Sequence, residues 1–158
     1  MANTQSMTTS FLGELMTATH NFGASPIRAA STADTFKAAL FLASATINAA
    51  TTAYSTTGEV TGTGYTAGGV TVTNATAPIA TNASATAGVA YWTPSASFVY
   101  TTVTLSTAFD CVLVYNSTQS NKAVSVHTFG SQTITAGTFT LTMPSNTTTT
   151  ALLRLATT

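Results

Sequence analysis

The run Phe109-Asp110-Cys111-Val112-Leu113-Val114-Tyr115 carries apolar side chains on both faces of an extended chain. Phe109, Cys111, Leu113 and Tyr115 share one face and Val112 and Val114 the other, the pattern of a central strand covered on both sides. The surrounding sequence repeats the theme. Phe98 to Leu105 sets Val99, Val103 and Leu105 against Phe98 and Tyr100. Ala123 to Phe129 places Val124 and Val126 together. Thr133 to Met143 alternates, with Phe139, Leu141 and Met143 inward and Thr138, Thr140 and Thr142 outward. Ala136-Gly137 within that run marks a tight turn or a bulge. Val89 to Trp92 is a further strand, stopped by Pro94. Short β-branched strands with turn signals between them predict a mainly β, antiparallel sandwich or barrel-like domain.

The first half is less regular. Thr35 to Leu42 reads as a strand, followed by a Thr-, Ala- and Gly-rich segment over 43–69. Gly58 to Gly69 holds five glycines in twelve residues, a loop signature. Val70 to Thr73 makes a short strand, and 75–87 has a weak pattern. Leu152, Leu153 and Leu155 in the polar tail form a terminal edge strand or pass onto a neighbouring subunit. At the other end, residues 1–9 read as a polar arm. Phe11, Leu12, Leu15 and Met16 recur at helical spacing behind Ser10 as N-cap. Gly13 costs that helix about 1 kcal/mol, and Asn21, Gly23 and Pro26 end it. The expected organisation is an arm and short helix over 1–25 and a β-sandwich domain over 26–158. The helix serves either as a docking element for a partner or as a cover for its own sheet. On this reading, deleting residues 1–22 weakens attachment more than it weakens the fold.

Composition narrows the function. The chain has 158 residues, enough for one domain. Only 5% are charged, against about 25% in ordinary domains. Hydroxyls replace the charges, with 38 threonines and 15 serines making up about a third of the chain. Hydrophobic residues at 44% and zero net charge argue against intrinsic disorder. Four Lys+Arg against four Asp+Glu give no basic field for nucleic acid. The longest apolar stretch, Ala38 to Ala50, is too short and too polar to span a bilayer. No Lys or Arg precedes Arg28, so no signal-peptide n-region is expected, and with it no export or glycosylation of the sequons at Asn74, Asn82, Asn116 and Asn146. The lone Cys111 excludes an intrachain disulfide and reads as a small buried hydrophobe.

Candidate chemistry is thin. Gly62-x-Gly64-x-x-Ala67 matches a dinucleotide fingerprint in letters only, because no buried strand precedes it and no helix follows. The histidines are His20 and His127, and the acids Glu14, Asp34, Glu59 and Asp110. A triad of Asp110, His127 and one of many serines is open on spacing but carries little information. A two-carboxylate glycosidase would have to draw on the same four acids. No His, Cys, Asp or Glu cluster has metal-ligand spacing. The expectation is therefore no catalytic residue, no cofactor and no metal. Tyr91, Trp92, Phe98, Tyr100 and Tyr115 form a core or, less readily, a carbohydrate platform.

Asp34-Thr-Phe-Lys-Ala-Ala-Leu-Phe-Leu42, followed by Tyr54-Ser-Thr-Thr-Gly-Glu59-Val60-Thr-Gly62-Thr-Gly64-Tyr65-Thr-Ala-Gly68-Gly69, resembles a family of small structural proteins of tailed-bacteriophage virions. The shared block is E-V-x-G-x-G-Y-T-x-G-G, and the strand around Trp92 and Ala136-Gly-Thr-Phe-Thr-Leu141 extend the resemblance over roughly 30–143. It implies a virion component assembled in the host cytoplasm: a head decoration (cement) protein, or a tail or head-fibre component that binds a host surface. A small hydrolase is the remote alternative. The implied partners are the major capsid protein or other virion proteins, and the chain itself as a homo-oligomer such as a trimer, with no nucleic acid and no membrane. Glu59, Gly62, Gly64, Tyr65, Gly68 and Gly69 form its structural glycine loop. This chain departs from the pattern in being poorer in charge and richer in Thr and Ala. An uncharged hydroxyl-rich surface suits packing against like neighbours, since no charge field opposes crowding.

Overall fold

Alternating β-branched and aromatic residues pair into strands wherever one face finds a core. The computed structural model describes residues 3–8, 11, 15, 19–20, 22, 33–73, 78–80 and 89–156. In chain order the strands are β1 (Ser6–Met7), β2 (Phe36–Leu42), β3 (Val70–Thr71), β4 (Ile79–Ala80), β5 (Val89–Trp92), β6 (Phe98–Asn116), β7 (Lys122–Leu141) and β8 (Leu153–Ala156). A five-stranded sheet runs β1-β7-β6-β2-β3 and a three-stranded sheet β4-β5-β8, with every pairing antiparallel. The sheets pack face to face: Phe36, Leu40, Val112 and Val114 of the larger meet Trp92 and Leu153 of the smaller. The fold is mainly β and antiparallel. The larger sheet buries its other face as well, where Phe41, Cys111, Leu113 and Val126 lie beneath Ala45, Ile47 and Tyr54 of the loop after β2. Both faces of the Phe109–Tyr115 run are thus covered, and the C-terminal leucines close the smaller sheet as edge strand β8.

β6 and β7 form one hairpin of 19 and 20 residues, each about 60 Å long if straight. The sequence pattern divides each of them in two. Bulges explain the difference, because they shift the register without ending the pairing. Between the pairs Tyr100↔Phe139 and Val103↔Gly137, β6 carries one extra residue, and Thr102 there has φ 53. Between Val103↔Gly137 and Leu105↔Ile134 the extra residue is on β7, and Ala136 there has φ 46. Ala136-Gly137 is therefore a bulge and not a turn. Each bulge resets the alternation of faces. Phe98, Tyr100, Val103 and Leu105 consequently enter one core while Val99 is 41% exposed, which corrects the facing read from simple alternation. A shift between Val114 and Tyr115 likewise puts Val124 and Val126 into different clusters, and one between Phe109 and Cys111 moves Phe109 to the side of Val112 and Val114.

The described residues of the N-terminal segment are built into this fold. The expected helix is not established, since Leu12, Met16 and most of its other residues lie outside the described set. Phe11 is 2% exposed and belongs to the main core. Phe22 stacks on Phe36 at 4.4 Å and meets Trp92 edge-on at 4.9 Å. β1 pairs with β7 through Ser6↔Val126 and Met7↔Ser125. Thr4 N donates to Ile47 O at 3.1 Å, and Asn3 Nδ2 donates to Leu42 O and to Asp110 Oδ1. The described residues before 23 contribute rings and strand pairing to the fold itself, so their loss is expected to lower stability. Asn116, one of the four sequons, is fully buried, and its amide donates to Asp34 Oδ2 at 2.8 Å and lies 3.0 Å from His20 Nδ1.

Candidate functional site

The glycine block starts beside β2 and continues along the far half of β6. Glu59 bridges Phe41, Val60 N donates to Leu40 O, and Thr63 bridges Thr104. Backbone meets backbone at this seam. A Cβ on Gly62 or Gly64 would overlap the carbonyl oxygens of Thr104 and Thr102, and one on Gly69 would overlap that of Ala38. Gly64 and Gly69 also hold φ of 78° and 71°, where a side chain is strained.

Glu59, 6% exposed, is the hub. Its carboxylate accepts from Tyr54 Oη at 2.6 Å, Tyr65 Oη at 2.8 Å and Gly68 N at 2.7 Å. Tyr65 Oη in turn accepts from Leu40 N at 3.0 Å, tying the loop to β2. Tyr115 Oη donates to Gly68 O at 2.9 Å, and its ring lies 4.4 Å from that of Tyr54 at an angle of 10°. Tyr100 Oη donates to Ala38 O at 2.8 Å. Burial, reinforced by the Glu59 charge, pushes the phenol of Tyr115 up to about 12 and raises those of Tyr54, Tyr65 and Tyr100. The phenols therefore stay protonated and keep donating. The structure brings Glu59, Tyr65 and Gly68 together directly and sets Gly62, Gly64 and Gly69 along the same seam. Sequence reading missed Tyr54, Tyr100 and Tyr115. The only local signal was Tyr54, five residues ahead of Glu59, since the other two arrive from β6. Glu59→Gln turns one acceptor into a donor facing donors, so it is expected to lower stability by about 1–3 kcal/mol. Equilibrium denaturation measures this, and an unchanged midpoint would remove Glu59 as the hub.

The other acids within the described residues, buried Asp34 and half-buried Asp110, are also hydrogen-bonded within the fold. Asp110 accepts from Asn3, and Asp34 accepts from Asn116 and from Gln119 Nε2 at 3.2 Å. His127 Nε2 meets Ser125 Oγ at 2.8 Å, and that serine is 1% exposed. Asp110 and His127 thus take different partners, and the triad weighed from the sequence is not assembled. Among the described residues no group of three His, Cys, Asp or Glu side chains gathers to hold a metal, and no helix is long and apolar enough to cross a membrane. Burial pushes the Cys111 thiol up to about 12, far from the thiolate that reactivity needs.

Burial holds half-buried His127 down at about 4, in a cleft that Arg154 also lines. Its folded pKa lies below the unfolded value near 6.5. The neutral ring's contribution is therefore complete above 6.5 and is lost as pH falls toward 4, by up to about 3 kcal/mol. Melting temperature against pH should drop over that window in the wild type and stay flatter in His127→Gln. Parallel curves would refute the assignment.

Trp92, Phe98, Tyr100 and Tyr115 are core residues and offer no exposed carbohydrate platform. Of the proposed docking residues, Phe11 is buried, while half-buried Leu15 joins it with Met7, Trp92, Leu153 and Leu155 around an apolar groove of about 100 Å³. Two long stretches, 60–109 and 123–153, contain no Asp, Glu, Lys or Arg. The hairpin end remote from its turn is therefore uncharged, with Thr101, Thr102, Thr133, Thr135, Thr138 and Thr140 exposed. Comparison with protein-family models, with curated proteins and with solved structures finds no match for this chain.

Proposed function

We propose that this chain is a non-enzymatic structural protein of a tailed-phage virion, acting as a decoration protein on the assembled head. The observation that carries the reading is where the described acids go. Asp34, Glu59 and Asp110 are engaged in holding segments together, and what faces outward over the hairpin end remote from its turn is neutral and hydroxylated. Such a surface packs closely beside identical copies, because it brings no charge field to oppose them. The E-V-x-G-x-G-Y-T-x-G-G block supports the same reading, since it serves as a brace between β2 and β6. A protein bound only to the assembled shell stabilises that shell by mass action. Quantitative mass spectrometry of purified particles tests the assignment. Hundreds of copies per particle are expected. A few to a few dozen would shift the protein to the tail or a head fibre, and absence from the particle would refute the reading.

A further inference from the structure

We propose that the free edge of β7, from Gln132 to Leu141, pairs antiparallel with the same edge of a second copy of this chain. The sheet order leaves β7 with β6 on one side, and on the other side β1 reaches only Ser125 and Val126. Among the described residues nothing pairs with the outer side of 132–141, where Gln132, Thr133, Thr135, Ala136, Thr138 and Thr140 are exposed. An open edge presents a row of unpaired backbone donors and acceptors, which many proteins guard with lysine. Here no charged residue occurs from 123 to 153. The same fact selects the occupant. A charged partner would lose hydration against this edge and meet no counter-charge, whereas a second copy brings an equally neutral strand. Antiparallel pairing of one strand with itself is also self-complementary, as two-fold symmetry requires.

Size decides the strength. Ten residues at about 3.4 Å span about 34 Å. With a strip about 10 Å deep, the pairing covers about 700 Å² over both partners, below the roughly 1,200 Å² of stable interfaces. The bulge at Ala136 divides the edge and weakens it further. The contact is therefore weak in dilute solution and forms where copies are crowded, at effective concentrations near millimolar. The crowding rests on the virion reading; the pairing itself is measurable on the free protein, so the two stand or fall separately.

Sedimentation velocity of the full chain from about 0.01 to 1 mM, at low and high NaCl, reads the association. The sedimentation coefficient should rise with concentration equally in both salts. The double variant T138K/T140K, altered only at exposed positions, should remain monomeric at low salt with an unchanged melting temperature. Amide exchange in the wild type should slow at 1 mM within 132–141, which locates the contact without any variant. A wild type that stays monomeric at 1 mM overturns the proposal. So does association that leaves exchange at 132–141 unchanged.

Discussion

Gly69→Ala is expected to destabilise the protein by about 3 kcal/mol or more, while Gly130→Ala changes stability by less than about 0.5 kcal/mol. Two independent penalties coincide at Gly69. Its φ of 71° belongs to the left-handed region, and a Cβ would collide with the carbonyl of Ala38 on β2. That carbonyl cannot withdraw, because Ala38 lies mid-strand between β3 and β6. At Gly130 the nearest atom to an added Cβ is the end of the Gln132 side chain at 4.0 Å, and φ is unexceptional. Urea denaturation of the pair provides the comparison. Equal midpoints would mean that the glycine block does not pack against β2 as described.

Removing residues 1–22 is expected to cost about 5 kcal/mol or more, comparable to the whole stability of a small domain. The deletion takes away Phe11 and Phe22, each a buried ring of the kind whose loss to alanine costs about 3–5 kcal/mol. It also removes β1 and leaves Asp110 without Asn3. The truncated chain should show a broadened or absent thermal transition by circular dichroism. A two-state transition within a few degrees of the wild type would show that the segment is an appendage.

The strands were legible because short apolar and aromatic runs bounded by turn residues are a local signal. β2, β5 and the Phe109–Tyr115 run are found where Phe36, Trp92 and Val112 placed them. The continuity of β6 and β7 was not legible. Thr102 and Ala136 are ordinary letters that take a positive φ only because tertiary pairing holds them there. The role of the N-terminal segment was hidden for a related reason. Asn3 finds Asp110 across 107 residues, and Phe22 finds Phe36 and Trp92, by contacts that no local pattern encodes. Glu59 was legible as one of four acids beside a glycine loop. Tyr115 reaches Gly68 of that loop from β6, and Tyr100, also from β6, stacks on Tyr65 and bonds Ala38 of β2, so only the fold could reveal them.

Binding to particles across a salt series tests the central claim most directly. On the proposed virion reading, with Asp34, Glu59 and Asp110 bonded within the fold and the hairpin end remote from its turn uncharged, attachment to the shell would rest on apolar burial and backbone hydrogen bonds and not on ion pairs. Between about 0.05 and 1 M NaCl the Debye length falls from above 10 Å to about 3 Å, which strips away binding that depends on exposed charge. Co-sedimentation of the full chain with particles should therefore be unchanged over that range, and sulfate should strengthen it. Release of the protein at moderate NaCl would contradict the account.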